Sequence, residues 1–126
     1  MKRLITLFIF MALFISCKPN KSPKETVAAF REYTYYHDFE NADFFLIPTE
    51  ENREHIEILK KMALIKPNIE NEKFKDIEKN VFYKEKEITD STAQIIVRFG
   101  QSTMSTEFKL KKNNKKWLIE SIIQNQ

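Results

Sequence analysis

The chain is poor in the residues that many small catalytic and metal-binding proteins rely on. It has one glycine, one cysteine and two histidines in 126 residues. One glycine excludes a Walker-type phosphate loop and a dinucleotide-binding glycine fingerprint, since each needs several close backbone approaches. One cysteine excludes an intrachain disulfide and a cysteine-rich zinc site. Two histidines are too few for a three-histidine zinc centre, and neither opens an HExxH pattern. No metal and no cofactor is expected. Charge of one sign is also scarce. The 21 basic residues face 18 acidic ones, for a net +3, without the clustered excess that nucleic-acid binding needs. Repeats and low-complexity segments are missing, and the length suits about one domain.

What is present begins at the N-terminus. Met1-Lys2-Arg3 is a short basic start, and from Leu4 to Ile15 only Thr6 is polar. This run is too short to span a bilayer as a helix, which takes about 20 residues, but it fits the apolar region of a secretory signal peptide. It ends in Leu13-Phe14-Ile15-Ser16-Cys17, which resembles a bacterial lipobox, with Phe14 where leucine is usual. That resemblance implies cleavage after Ser16 and lipidation of Cys17. Residues 1–16 are then a lipoprotein signal peptide, 17–22 the lipidated cysteine and its tether, and 23–126 the folded domain. Acyl chains contribute about 0.8 kcal/mol per buried methylene, so a multiply acylated cysteine anchors stably. A plain signal peptide with an incidental Cys17, or an uncut N-terminal anchor, are the alternatives. Losing Lys2 and Arg3 brings the net charge from +3 to +1. The tether lacks the acidic run that in some bacteria marks lipoproteins for the cell surface. The expected location is therefore the cell envelope, lipid-anchored in the outer membrane and facing the periplasm.

Ser22-Pro23-Lys24-Glu25 is a helix start, with a capping serine, proline at the first helical position and Glu25 completing a capping box. Val27, Phe30, Tyr33 or Thr34, and His37 follow at helical spacing, so the first helix is expected over 23–37. Asp38 caps a short second helix with Phe39, Ala42, Phe45 and Leu46 on its apolar side, stopped by Pro48. Thr49 starts a third, with Ile56, Leu59, Met62 and Ala63 as its buried stripe. Residues 66–78 read as a loop that contains room for a short helix.

Beyond this the apolar period drops to 2. With Gln101-Ser102 as a loop, Val97 faces Thr106, Ile95 faces Phe108, and Ala93 faces Leu110. With Asn113-Asn114 as a two-residue loop, Leu110 faces Trp117, Phe108 faces Ile119, Thr106 faces Ser121, and Met104 faces Ile123. Residues 79–88 add a fourth strand in which Val81 and Tyr83 face Phe99 and Val97, while Glu85 faces Ile95. The expected fold class is α+β, with three N-terminal helices on one face of a curved antiparallel meander of about four strands.

The opening Ser22–Phe30 segment, the acidic-aromatic Asp38-Phe39-Glu40-Asn41-Ala42 and the lysine-rich strand Lys115-Lys116-Trp117-Leu118-Ile119 together resemble small NTF2-like, cystatin-like bacterial lipoproteins. The DUF4878-type domain, of unknown function, is the subgroup they are most similar to. The resemblance covers nearly all of 22–124 and implies a cone between helices and sheet. The fold hosts isomerases, dehydratases, carriers and interaction modules, so it does not by itself choose a function.

Tyr33, His37 and Asp38 are the most chemically loaded stretch. They suit a Tyr hydrogen-bonding an enolate-like oxygen while a carboxylate or imidazole moves a proton. Packing of Tyr33 and His37, with Asp38 as a cap, explains the same residues. Tyr33, His37, Thr106, Ser121 and Trp117 are the candidate pocket lining, and a Thr106–Ser121 hydroxyl pair in an ordinary core is the plainer account. Lys109, Lys111, Lys112, Lys115 and Lys116 could meet anionic headgroups or an acidic partner, or simply solvate a turn. Leu118 and Ile122 fall on the outer sheet face as a candidate interface, for a homodimer or a protein partner. His55 reads as solvated helix surface. The leading expectation is a non-catalytic, lipid-anchored envelope protein that binds a small apolar molecule or a protein partner. A small isomerase or hydrolase-like enzyme using Tyr33, His37 and Asp38, or an interaction or immunity-type module, are the competitors.

Overall fold

A computed structural model of the chain describes residues 21–65 and 73–125. The signal segment, Cys17 and residues 66–72 lie outside the described residues. Helix α1 spans Pro23–Tyr35 and is set by the expected capping box. Ser22 Oγ accepts from the Glu25 amide at 3.1 Å, and the Ser22 amide donates to Glu25 Oε1 at 3.0 Å. The second bond, followed by the Ser22 hydroxyl, holds the Glu25 carboxyl below its ordinary value. Helix α2 (Phe39–Asp43) is capped by Asp38, and α3 covers Glu50–Ile65. Thr49 Oγ1 accepts from the Asn52 amide at 3.1 Å at the head of α3. A single turn of helix, α4 (Phe74–Ile77), and a 3₁₀ turn at Glu78–Asn80 lead into the sheet. The first helix ends two residues earlier than its periodicity suggests, because His37 takes a left-handed φ of 60° that a continuing helix forbids.

Strands β1 (Val81–Lys86), β2 (Thr92–Phe99), β3 (Ser105–Asn113) and β4 (Lys116–Asn125) form one open antiparallel sheet in sequential order. The α+β class is as expected. The β1–β2 register places Tyr83 opposite Val97 and Glu85 opposite Ile95, and β2–β3 places Ala93 opposite Leu110 and Ile95 opposite Phe108, both as the alternation indicates. The β3–β4 register differs. The two positive-φ residues of the loop are Asn114 (50°) and Lys115 (66°), not Asn113 and Asn114. A type I′ two-residue loop has left-handed backbone at both positions, and moving the loop by one residue re-pairs Leu110 with Ile119 and Lys112 with Trp117.

A second departure follows inside β4. Leu110 faces Ile119 but Lys109 faces Ser121, so Glu120 is an extra residue, a β-bulge. The bulge reverses the facing of everything after it. Ile122 now lies opposite buried Phe108 and packs against the core, whereas Ser121 lies opposite Lys109 and Ile123 opposite Glu107. Thr106 pairs with Gln124, so the expected Thr106–Ser121 hydroxyl pair does not form, and Ile122 leaves the outer face on which it was expected.

The bulge is held from the helical side. Asn52, only 3% exposed, directs its Nδ2 donors at three carbonyls: Ile47 at 2.9 Å, Ile119 at 3.2 Å and Glu120 at 3.0 Å. Residues 45–47 also bond to the free edge of β4. The Ile119 amide donates to Phe45 at 2.7 Å, and the Ile47 amide donates to Ile119 at 2.8 Å. A parallel bridge between Leu46 and Ile119 is the outcome.

The core lies between the helices and the inner sheet face. Val27 and Phe30 of α1, Ala42 of α2, Leu46 and Ile56 meet Val81, Ala93, Ile95, Val97, Phe108, Leu110 and Ile119. Phe30 and Phe108 meet edge to face at 6.2 Å. Full burial of side chains of this size contributes roughly 1.5–3 kcal/mol each, so the inner face is the main source of stability. The C-terminal half of α3 is less buried than its periodicity suggests. Met62 is exposed, as are Ile58, Leu64 and Ile65.

Two stability changes are expected. Asn52→Leu keeps the number and branching of side-chain heavy atoms but removes the donor to Glu120, while the Ile47 and Ile119 carbonyls keep the Thr49 and Ile47 amides, and should cost about 1–3 kcal/mol. A urea-unfolding difference below about 0.5 kcal/mol, the scale of an ordinary surface change, would show that Asn52 only fills space. Lys115→Gly relieves the left-handed φ and should raise stability by about 0.5–1 kcal/mol, measured as an upward shift in Tm.

Candidate functional site

The chemically loaded stretch is divided by the end of α1. Tyr33 stays on the helix, and its ring stacks on Phe45 at 5.8 Å. His37 turns off the helix, and its ring lies nearly parallel to Phe39 at 5.8 Å. Asp38 Oδ1 accepts from the Asn41 amide at 3.3 Å and Oδ2 accepts from Asn41 Nδ2 at 2.7 Å. Both carboxylate oxygens are thus engaged in capping α2. Tyr36, beside them, accepts from the Phe74 amide at 3.0 Å and pins α4 to α1.

Tyr33 and His37 line different cavities. Tyr33 borders a shallow one of about 320 Å³ with Tyr36 and Asp38. His37 and Asp38 border the rim of a groove of about 700 Å³ between α2 and α3, floored by Asn52 and Ile56 and bordered by Asp43, Phe44 and Arg53. The groove carries charge of both signs, and the donors of Asn52 at its floor are committed to backbone carbonyls. Among the described residues, no group of three or more His, Cys, Asp and Glu side chains is placed to hold a metal ion.

Trp117 lies at the other end of α2. It borders a cavity of about 420 Å³ with Lys21, Thr26, Phe44, Phe45, Lys116 and Leu118. Lys112 sits 5.7 Å from the Trp117 ring centre. Leu118 faces Lys111 on the outer side of the sheet. Phe44 borders both this cavity and the larger groove, and is 74% exposed. Its importance was not visible in the sequence, where its neighbour Phe45 carries the helical periodicity. The signal available was two adjacent phenylalanines just after a short helix, where only one can turn inward.

A charged cluster unites residues that the sequence keeps far apart. Arg31 of α1 hydrogen-bonds both Glu78 and the Tyr83 hydroxyl, and Tyr83 donates to Glu78 Oε2 at 2.6 Å. The guanidinium lies among the rings of Phe74 (5.3 Å), Tyr83 (5.6 Å) and Phe99 (5.0 Å). Burial and the bond to Glu78 push the Tyr83 phenol well above its ordinary value near 10, against the opposing pull of Arg31. The aromatic rings leave the Arg31 and Glu78 side chains only 12% and 22% exposed, and Arg31 Nη1 serves both Glu78 and Tyr83, the added hydrogen bond helping to offset the cost of burying the pair. The cluster ties α1 to the start of the sheet. His55 is half-buried rather than solvated, and burial pushes its imidazole below its ordinary value.

No family model, curated protein or solved structure matches the chain. Among the described residues, no helix is long and apolar enough to cross a membrane.

The raised Tyr83 value has a definite sign. Its folded form holds the proton past pH 10 while the unfolded form releases it, so this stabilisation is full below about pH 10 and is lost above it. The urea midpoint should fall between pH 9 and 11, and Tyr83→Phe should flatten part of that fall. An identical pH dependence in both chains would show that the cluster does not hold Tyr83 protonated.

Proposed function

We propose that this chain is a non-catalytic, lipid-anchored envelope protein, held through Cys17 in the outer membrane facing the periplasm, whose NTF2-like domain binds a protein partner on its exterior. The observation that carries the binding reading is the division of apolar surface. Val27, Phe30, Ile95, Val97, Phe108 and Leu110 fill the space between helices and sheet with the chain's own side chains. Phe44 meanwhile stands largely in solvent where two cavities meet. A large aromatic at such a junction has the shape of a binding anchor.

The enzyme alternative has less support. Asp38 is committed to its cap, and Tyr33 and His37 border separate cavities. The lipid-anchor part rests on the basic start, the short apolar run and Ser16-Cys17. The helices-then-meander order and the strand containing Trp117 support the NTF2-like part.

Two measurements separate the parts. Intact mass of the chain recovered from bacterial membranes should show residues 1–16 removed and acyl mass on Cys17. A chain retaining Met1, or one beginning at an unmodified residue, would refute the anchor. A photoreactive residue at position 44 should crosslink one defined envelope protein, and the same residue at Gln94 on the outer sheet face should not. Equal capture from both positions would refute a binding surface centred on Phe44.

A further inference from the structure

The cavity beside Trp117 lies where the chain enters the domain. Lys21, the first described residue, borders it together with Trp117, Phe44 and Lys116. Lys21 is four positions after Cys17, so whatever path the chain takes, their Cα atoms are at most about 14 Å apart. If Cys17 is acylated, the bilayer surface lies within that reach of this end of the domain.

The chemistry at this end suits such a surface. Lys21 and Lys116 border the cavity, Lys112 stands over the Trp117 ring, and Lys115 occupies the tip of the β3–β4 hairpin. Lys111 differs, because it is paired with Glu120 at 3.1 Å. Among the described residues that border the cavity, none is acidic. The mature chain is nearly neutral as a whole, so four lysines around two aromatics form a local concentration of charge. Tryptophan with an apolar body and a polar edge partitions to the headgroup region, and lysine stems reach along apolar surface while their ammonium groups meet phosphates.

We infer that the end of the domain carrying Lys21, Lys112, Lys115, Lys116 and Trp117 docks on an anionic phospholipid surface, so that the anchored domain lies against its own membrane in one orientation. This inference rests on the anchor at Cys17 for proximity, and on side-chain chemistry for the face. Anchoring raises the effective concentration of the bilayer, so a face too weak to bind alone can stay docked. Docking through this face leaves Phe44 and the groove between α2 and α3 for a protein partner.

Trp117 is the only tryptophan, so its fluorescence reports this face alone. The lipidated full chain is reconstituted in vesicles of phosphatidylcholine, with or without phosphatidylglycerol, using lipids brominated on their acyl chains. Trp117 emission should shift to the blue and be quenched on the anionic vesicles, and both effects should fade in 0.5 M salt, a condition chosen to shorten the screening length to about 4–5 Å. Lys112→Glu with Lys116→Glu should weaken docking by on the order of fivefold or more per residue. A lipidated chain with the same Trp117 emission and quenching on both vesicle types would overturn the docked face and leave the anchor standing. A chain that proves unlipidated, yet shows salt-sensitive Trp117 quenching on added anionic vesicles, would sink the anchor and uphold the face. An unlipidated chain with silent Trp117 would overturn both.

Discussion

The side-chain amide of Asn52 is the contact on which most of this structure depends. Its donors join the end of the α2–α3 connection, at Ile47, to the two carbonyls that flank the bulge in β4. A bulge leaves backbone groups without a ladder partner, and buried carbonyls without partners are costly. Asn52 supplies a donor to Glu120 and shares the Ile119 carbonyl with the Ile47 amide at the place where the sheet changes its facing. Because the bulge persists, Ile122 turns inward against the core rather than continuing the alternation to solvent. The edge pairing of residues 45–47 with Ile119 completes the same junction. Helix α3, the connection before it and the last strand therefore form one mechanical unit.

Much of the fold was legible because local rules agreed with one another. The Ser22–Glu25 box, Asp38 and Thr49 each mark a helix start through short-range hydrogen bonds, and all three do so in the structure. The β2–β3 register follows from alternation, since a slip would expose a row of apolar residues, and the β1–β2 register follows at Val81 and Tyr83, with Glu85 left opposite Ile95. The third does not. Asn113, Asn114 and Lys115 offer two overlapping loops, and adjacent Ile122 and Ile123 satisfy either facing equally well. The observed facing is met by contacts from distant segments, the Asn52 amide and the edge pairing of Phe45 and Ile47 with Ile119, which no local pattern contains.

The candidate site was legible in part, for a related reason. Tyr33, His37 and Asp38 stand out by residue type, but their neighbours determine what they do: Tyr33 packs on Phe45, His37 on Phe39, and Asp38 caps. The most elaborate polar arrangement, Arg31 with Glu78 and Tyr83, comes from two distant segments and was invisible in sequence. Its three aromatic neighbours are the kind of residue that periodicity assigns to packing, and here they pack around a charge. Phe44 illustrates the reverse case, an apolar residue that no core contact claims.

The Asn52 junction also bears on the order in which the chain can be completed. Ribosomes release the N-terminal half first, yet the carbonyls that Asn52 needs belong to Ile119 and Glu120 in the final strand. Closing so long a loop is entropically unfavourable until the strand is in place. The helices can therefore form early as separate turns, but they cannot lock until nearly the whole chain has emerged. A polypeptide with this wiring acquires its last tertiary lock only as its synthesis ends.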